Sequence, residues 1–349
     1  MGLTLRHEVL SLALRDPFRI ARSEHGEGTR VTTVLVELRD PRYPDLVGIG
    51  EGFPDPFYGE TPVTMAAIVP MLLDAIGEID LDEAGIIAAD HRMEGAIRGH
   101  GAARCAIDIA LHDLVGKVAG VPVHVLRGLS PDLPPTDFTI GIDAPDVVAR
   151  RAQGAADFPA LKIKVGGSSD LATLEAVRGV YGGAIRVDAN TGWTRADAET
   201  LLPALIDLGV ELIEQPFRAR AYADLAWLQD RSPLPIVADE SCVLPEDLTA
   251  LAGVVAGVNV KLAKCGGIGP AYRMLAMARE AGFRTFLGCM EETSVGIAAS
   301  AVVASLADWV DLDGNLLLAD DPFEGLVLEP DKRWRLADGP GLGLTRRVG

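Results

Sequence analysis

Two different hydrophobic periods run along this 349-residue chain, one before and one after about residue 130. Near the start, Val31–Leu38 (VTTVLVEL) is dense in β-branched residues and predicts a strand, with a second short strand near Val47–Glu51. Gly52–Pro62 carries three prolines and predicts a surface loop. The spacing then turns helical over Val63–Ile76 and Gly101–Val118, where Ala103, Ile107, Ala110, Leu111 and Leu114 form one apolar stripe. Strands followed by helices predict an α+β unit.

From about Thr136 short apolar runs recur, each followed by a helical segment: FTIGI, LKIKV, IRVDA, LIEQ, IVADE, VNVKL, RTFLGC and DWVDLD. Their ends fall near positions 140, 164, 188, 214, 239, 261, 288 and 311. Continuous apolar strands alternating with helices predict a parallel sheet covered by helices. The even pitch favours closure as an eight-stranded barrel of the TIM type over an open doubly wound sheet. No GxGxxG follows the early strands, so a dinucleotide site has no support.

Charge narrows the partners. The sum of 32 Lys+Arg and 50 Asp+Glu is −18, a field that repels nucleic acid and anionic membranes. Four cysteines without a CxxC pair argue against a zinc ribbon or a disulfide scaffold and suit a reducing cytosol. Arg6, His7, Glu8 and Arg15 stand where a signal peptide needs an apolar core. The longest apolar-rich stretch, Thr293–Ala307, falls short of the ~20 residues of a membrane helix. A cytoplasmic protein is expected.

Barrel chemistry sits at the C-terminal ends of the strands. The second strand ends in Lys162-Ile163-Lys164, and a period of 2 points both lysines into the barrel mouth. The next three end in Asp188-Ala189-Asn190, Glu214-Gln215-Pro216 and Asp239-Glu240-Ser241. Three acids converging on one point repel one another and need a counter-charge. A hard divalent cation with oxygen ligands supplies it, Mg²⁺ by default. On the sixth strand, parity turns Lys261 inward and leaves Lys264 beyond the strand or on the helix-facing side. Lys261 then stands across the ring from the Lys162/Lys164 pair. Cys242, Cys265 and Cys289 lie near the same strand ends and read as small buried hydrophobes.

The set LKIKVG, RVDANTGW, LIEQP, IVADES and NVKLAKCGGI, at these spacings, resembles the enolase superfamily and its muconate-lactonising branch. The resemblance implies a modified (β/α)7β barrel over residues 126–321, closed by an α+β capping domain of residues 1–125 to which 322–349 return. It also implies Asp188, Glu214 and Asp239 as ligands of one Mg²⁺ per subunit, replaceable by Mn²⁺, and Lys164 and Lys261 as acid/base catalysts with Lys162 as an electrostatic helper. As in enolase-type sites generally, the metal would stabilise an ene-diolate. The eighth strand's Asp311-Leu312-Asp313 is similar to the DxD of dipeptide epimerases, the L-Ala-D/L-Glu epimerase type, where paired acids receive the substrate's ammonium. That implies 1,1-proton transfer at the α-carbon of a dipeptide's C-terminal residue. Asp311, Asp313, Arg22, His25 and Met290 are then the substrate-binding candidates. The capping loops, Arg19–Gly28 and Phe53–Glu60, mix charges and suit acidic, basic or apolar side chains. N-acylamino-acid racemisation, o-succinylbenzoate synthesis and muconate cycloisomerisation are alternatives on the same site, and a homo-oligomer is expected.

Overall fold

The computed structural model describes residues 2–22 and 28–347. An antiparallel sheet comes first, in the order β1 (Thr4–Ala13), β2 (Arg30–Arg39) and β3 (Gly48–Gly52). β1 was not expected from the sequence. It carries Arg6, His7 and Glu8 in succession and stays only half-buried, so it lacks a clean apolar face.

Helices α1 (Pro62–Ile76), α2 (Glu83–Ala96) and α3 (Gly101–Ala119) pack on this sheet. Thr61 caps α1, accepting from Thr64 N at 3.2 Å, and Pro62 occupies the first turn, where its missing N–H costs nothing. Asp82 caps α2 through Gly85 N at 2.8 Å. α2 also escaped the sequence reading, because its apolar residues are few and interspersed with alanine and glycine. Val34, Val36 and Leu38 of β2 meet Met65, Val69 and Leu72 of α1 in one core. α3 is buried on every side from Gly101 to Gly116, wedged between this sheet and the second unit, which is more than the single stripe expected.

The second unit is an eight-stranded parallel sheet running in sequence order. Its strands are β4 (Phe138–Ile140), β5 (Ala160–Lys164), β6 (Ala184–Asp188), β7 (Val210–Glu214), β8 (Ile236–Ala238), β9 (Gly257–Lys261), β10 (Arg284–Gly288) and β11 (Trp309–Asp311). The first and last strands meet at one bridge, Thr136 with Val310, so the barrel is nearly closed. After β11 a 3-10 turn, Gly314–Leu317, stands where an eighth helix would follow.

Leu161, Ile163 and Val165 face the helices, as the period of 2 requires. Inside the barrel, Leu212, Val237, Phe286 and Trp309 form a separate cluster. Above Phe286 lies Arg186, paired with Asp137 at 2.8 Å and Glu211 at 2.7 Å. That plug fills the interior and leaves chemistry to the opposite, C-terminal end. The C-terminal segment reaches back to the first unit: Arg346 grips Glu8 at 2.8 and 3.0 Å, and Leu342 N donates to Asp113 at 2.8 Å. Among the described residues no helix is long and apolar enough to cross a membrane.

Candidate active site

The strand ends anticipated from the sequence bring their acids together. Asp188, Glu214 and Asp239 are buried, and each offers a carboxylate oxygen within 4.8 Å of the others. The turns after the strands hold them there. Asn190, in a left-handed conformation (φ 41°), donates its N–H to Asp188 Oδ1 at 2.9 Å. Gln215, also left-handed (φ 33°), accepts from Asp239 N and Ser241 N, both at 3.0 Å, tying the β7 and β8 tips together. Asn259 Nδ2 donates to Glu214 Oε1.

Four lysines surround these acids. Lys164 Nζ lies 2.6 Å from Asp188 Oδ2, and Lys261 Nζ lies 3.1 Å from Asp239 Oδ2. β5 and β9 are four places apart in the eight-stranded ring, so the two ammonium groups approach from opposite sides. Lys162 reaches Glu214 at 3.4 Å and forms its closest ion pair with Asp311. Lys264 lies beyond the strand, one of its two expected places, but turns inward. The chain leaves the strand after Lys261 and enters a helical turn, Leu262–Cys265, which folds Lys264 inward. Its Nζ donates to Asp239 Oδ1 and to the carbonyls of Asp239, Cys242 and Asn259 at 2.8–2.9 Å. Strand parity carries no information beyond the strand, so it missed this contact. The paired glycines Gly266-Gly267, both at positive φ, were the available signal of a turn.

Charge balance follows from these contacts. Burial, reinforced by Asp188, pushes Glu214 up to about 7. Burial works the same way on Asp239, but Lys261 and Lys264 overcome it and hold this carboxyl well below the usual range. Burial disfavours the charged form of Lys261, yet Asp239 outweighs it and keeps the ammonium more strongly protonated than an ordinary lysine. Three buried all-oxygen donors, one held up by repulsion from its neighbour, fit a hard divalent cation such as Mg²⁺.

The same cavity is lined by Lys162, Lys164, Lys261, Asp311, Asp313 and Met290. Asp311 accepts from Lys162 and, at 3.0 Å, from Thr139 Oγ1. Burial would raise its pKa, but Lys162 holds it low. Asp313 accepts from Thr139 N and is pushed up to about 8 by burial and by Asp311 beside it. Arg22 lines the cavity too, ion-paired with Glu240. His25 lies outside the described residues. The four cysteines are buried and unbridged, as expected of small hydrophobes, although Cys289 also lines the cavity.

Residues 4–128 match the model of the mandelate racemase/muconate lactonizing enzyme N-terminal domain, and residues 146–347 match the enolase C-terminal domain-like model. The chain belongs to the enolase superfamily. Within this superfamily it is 37% identical to an L-Ala-D/L-Glu epimerase of Bacteroides thetaiotaomicron, over 96% of this chain and 86% of that one. It is 36% identical to a hydrophobic dipeptide epimerase of Enterococcus faecalis, over 96% of both. The crystal structure of an Enterococcus faecalis dipeptide epimerase, complexed with Mg and L-Leu-L-Tyr, superposes with a TM-score of 0.91 at 32% identity, covering 99% of this chain and all of that one.

Proposed function

We propose that this enolase-superfamily protein is a Mg²⁺-dependent dipeptide epimerase, an isomerase that inverts the α-carbon of a dipeptide's C-terminal residue. The observation that carries the reading is the pair Asp311 and Asp313 in the same cavity as Lys164, Lys261 and Asp239, whose carboxylate meets those of Asp188 and Glu214. A dipeptide offers a carboxylate at one end and an ammonium at the other, and this cavity has a counterpart for each.

Asp188, Glu214 and Asp239 would hold the metal, whose positive charge would stabilise the negative charge that develops on the substrate carboxylate as the α-proton leaves. Lys164, on one side of the α-carbon, takes the proton from one enantiomer, and Lys261 delivers a proton to the opposite face; the other enantiomer uses them in reverse. Lys162 adds positive charge near the carboxylate. Asp313, disfavoured as a carboxylate beside Asp311, gains its counter-charge when the substrate ammonium arrives. Met290 contributes an apolar wall. Similarity to dipeptide epimerases complexed with Mg supports Mg²⁺ as the metal; one ion per subunit, replaceable by Mn²⁺, is part of the same proposal. A cytoplasmic homo-oligomer is part of the proposal, and the separate N-terminal and C-terminal domain models support residues 1–125 as the cap, with 322–349 returning to it, and 126–321 as the barrel.

The test compares free-amine L,L-dipeptides with their N-acetyl counterparts, following α-deuterium uptake from D₂O by mass spectrometry. Losing a charge-assisted hydrogen bond costs ~1.5–3 kcal/mol, so free amines should lead in kcat/KM by roughly tenfold to a hundredfold. Faster turnover of N-acylamino acids than of every free dipeptide would replace this reading with N-acylamino-acid racemisation.

A further inference from the structure

Among the described residues one arginine, Arg22, lines the cavity, and that arginine is already engaged. Arg22 forms its ion pair with Glu240, whose side chain is fully buried, and donates to Asn190 O at 3.4 Å. Its guanidinium lies 4.3 Å over the Phe57 ring, and Asp55 Oδ2 stands 3.9 Å from Nη2. An acidic substrate side chain would have to compete with Glu240 and Asp55 for this guanidinium.

The remaining polar atoms at this end point the other way. Asn190 is 4% exposed and lines the cavity. Its amide nitrogen donates to Glu240 Oε1 at 3.2 Å, an orientation the carboxylate enforces, and its amide oxygen is left without a partner. Asp55 and Glu291 both line the cavity as well. The Glu291 carboxylate makes no ion pair or hydrogen bond among the described residues. The cavity's three lysines, Lys162, Lys164 and Lys261, are engaged by Asp311, Asp188 and Asp239, so against the one remaining cation, Arg22, stand Glu240, Asp55 and Glu291.

We propose that the residue inverted by this protein carries a cationic side chain, lysine or arginine, selected by Asp55 and Glu291 with the unpartnered Asn190 amide oxygen as a further acceptor. This rests on the dipeptide reading above and goes further by fixing the charge of the side chain. An ammonium or guanidinium supplies the donor that Glu291 and the Asn190 oxygen lack and adds a second cation beside Asp55, which already accepts from Phe57 N at 2.8 Å. A carboxylate meets repulsion, and an aliphatic side chain leaves the acceptors unpaired.

The experiment measures kcat/KM on the Mg²⁺-loaded protein for L-Ala-L-Lys, L-Ala-L-Arg, L-Ala-L-Glu, L-Ala-L-Leu and L-Lys-L-Ala, and repeats the panel with Asp55→Asn and Glu291→Gln. Expected is a lead of L-Ala-L-Lys or L-Ala-L-Arg over L-Ala-L-Glu by about a hundredfold. Each variant should cut the ratio of L-Ala-L-Lys to L-Ala-L-Leu by about tenfold, the scale of one charge-assisted contact. A lead for L-Ala-L-Glu or L-Ala-L-Leu, or a preference for lysine only at the N-terminal position, overturns this inference and leaves the dipeptide reading standing. Absence of turnover with every dipeptide overturns both.

Discussion

Lys261 and Lys264, three residues apart, both end on the Asp239 carboxylate, with different prospects. Lys261 lines the cavity, whereas Lys264 is locked by three carbonyls besides its carboxylate partner. Lys261→Ala should therefore abolish epimerisation with little change in stability, and leave α-deuterium exchange of one stereoisomer through Lys164, read by proton NMR in D₂O. Lys264→Met should instead cost about 3–5 kcal/mol in denaturant unfolding, because it removes one of the two ammonium partners of a buried carboxylate and leaves three buried carbonyls without their donor. If Lys264→Met kept full stability while losing only exchange, the two lysines would have to trade roles. Asp188→Asn should weaken Mg²⁺ binding at least tenfold by calorimetry, since it deletes one of three ligand charges. At this scale the sequence was most legible where a side chain sits on a strand. Parity placed Lys162, Lys164 and Lys261, and strand ends placed the three acids. Parity also turned Asn259 inward with Lys261, but its partner Glu214 sits on another strand tip, and the contacts of Lys264 are set by a helical turn, so neither set of partners was legible.

At the level of elements, the contact between β3 and α3 turns on a period shared by a strand and a helix. Gly48, Gly50 and Gly52 present one face of β3, and a Cβ at each would lie 2.1, 1.9 and 2.1 Å from the carbonyl oxygens of Ala110, Ala106 and Ala102. Every second strand residue thus meets every fourth helix residue, and glycine is what permits backbone-to-backbone approach. Gly50→Ala must push α3 away. Because α3 is also wedged against the turn at Gly101 and Lys264, the helix has little room to yield. The expected loss is about 2–4 kcal/mol in urea unfolding, at the upper end of overpacking effects. A change below ~0.5 kcal/mol would mean that the sheet and helix slide apart freely. The sequence pattern GIGEG was legible as a short strand but not as a docking face, since nothing local says which helix it meets. The barrel strands were easier: they are largely apolar, and β5, β6, β7, β9 and β11 end in charged residues, whereas the seam between Thr136, just before β4, and β11 went unanticipated.

Across the whole molecule, the cap and barrel are joined through buried acid. Glu51 of β3 accepts from Thr293 N at 3.0 Å, from Thr293 Oγ1 at 2.6 Å and from Gly296 N at 2.9 Å, so a cap residue closes the first turn of the barrel helix Ser294–Val303. A carboxylate is well placed there, at the positive end of the helix. Glu292 beside it is not. One of its oxygens has no partner, and burial together with Glu51 pushes it up to about 8. An acid raised in this way is carried protonated in the folded state. Its contribution to stability is complete below the ordinary glutamate value near 4.5 and drains away as pH climbs toward 8, with a slope of at most ~1.4 kcal/mol per pH unit. Glu292→Gln keeps the shape and removes the proton. Urea unfolding in chelator, which keeps metal-linked protons out of the measurement, should therefore show the variant gaining on the parent from pH 5 to pH 8 and the gain levelling off above it. A stability difference that stays flat across that window would mean that Glu292 is ionised in the fold, and the junction would then need a cation near residue 292 to hold two carboxylates side by side.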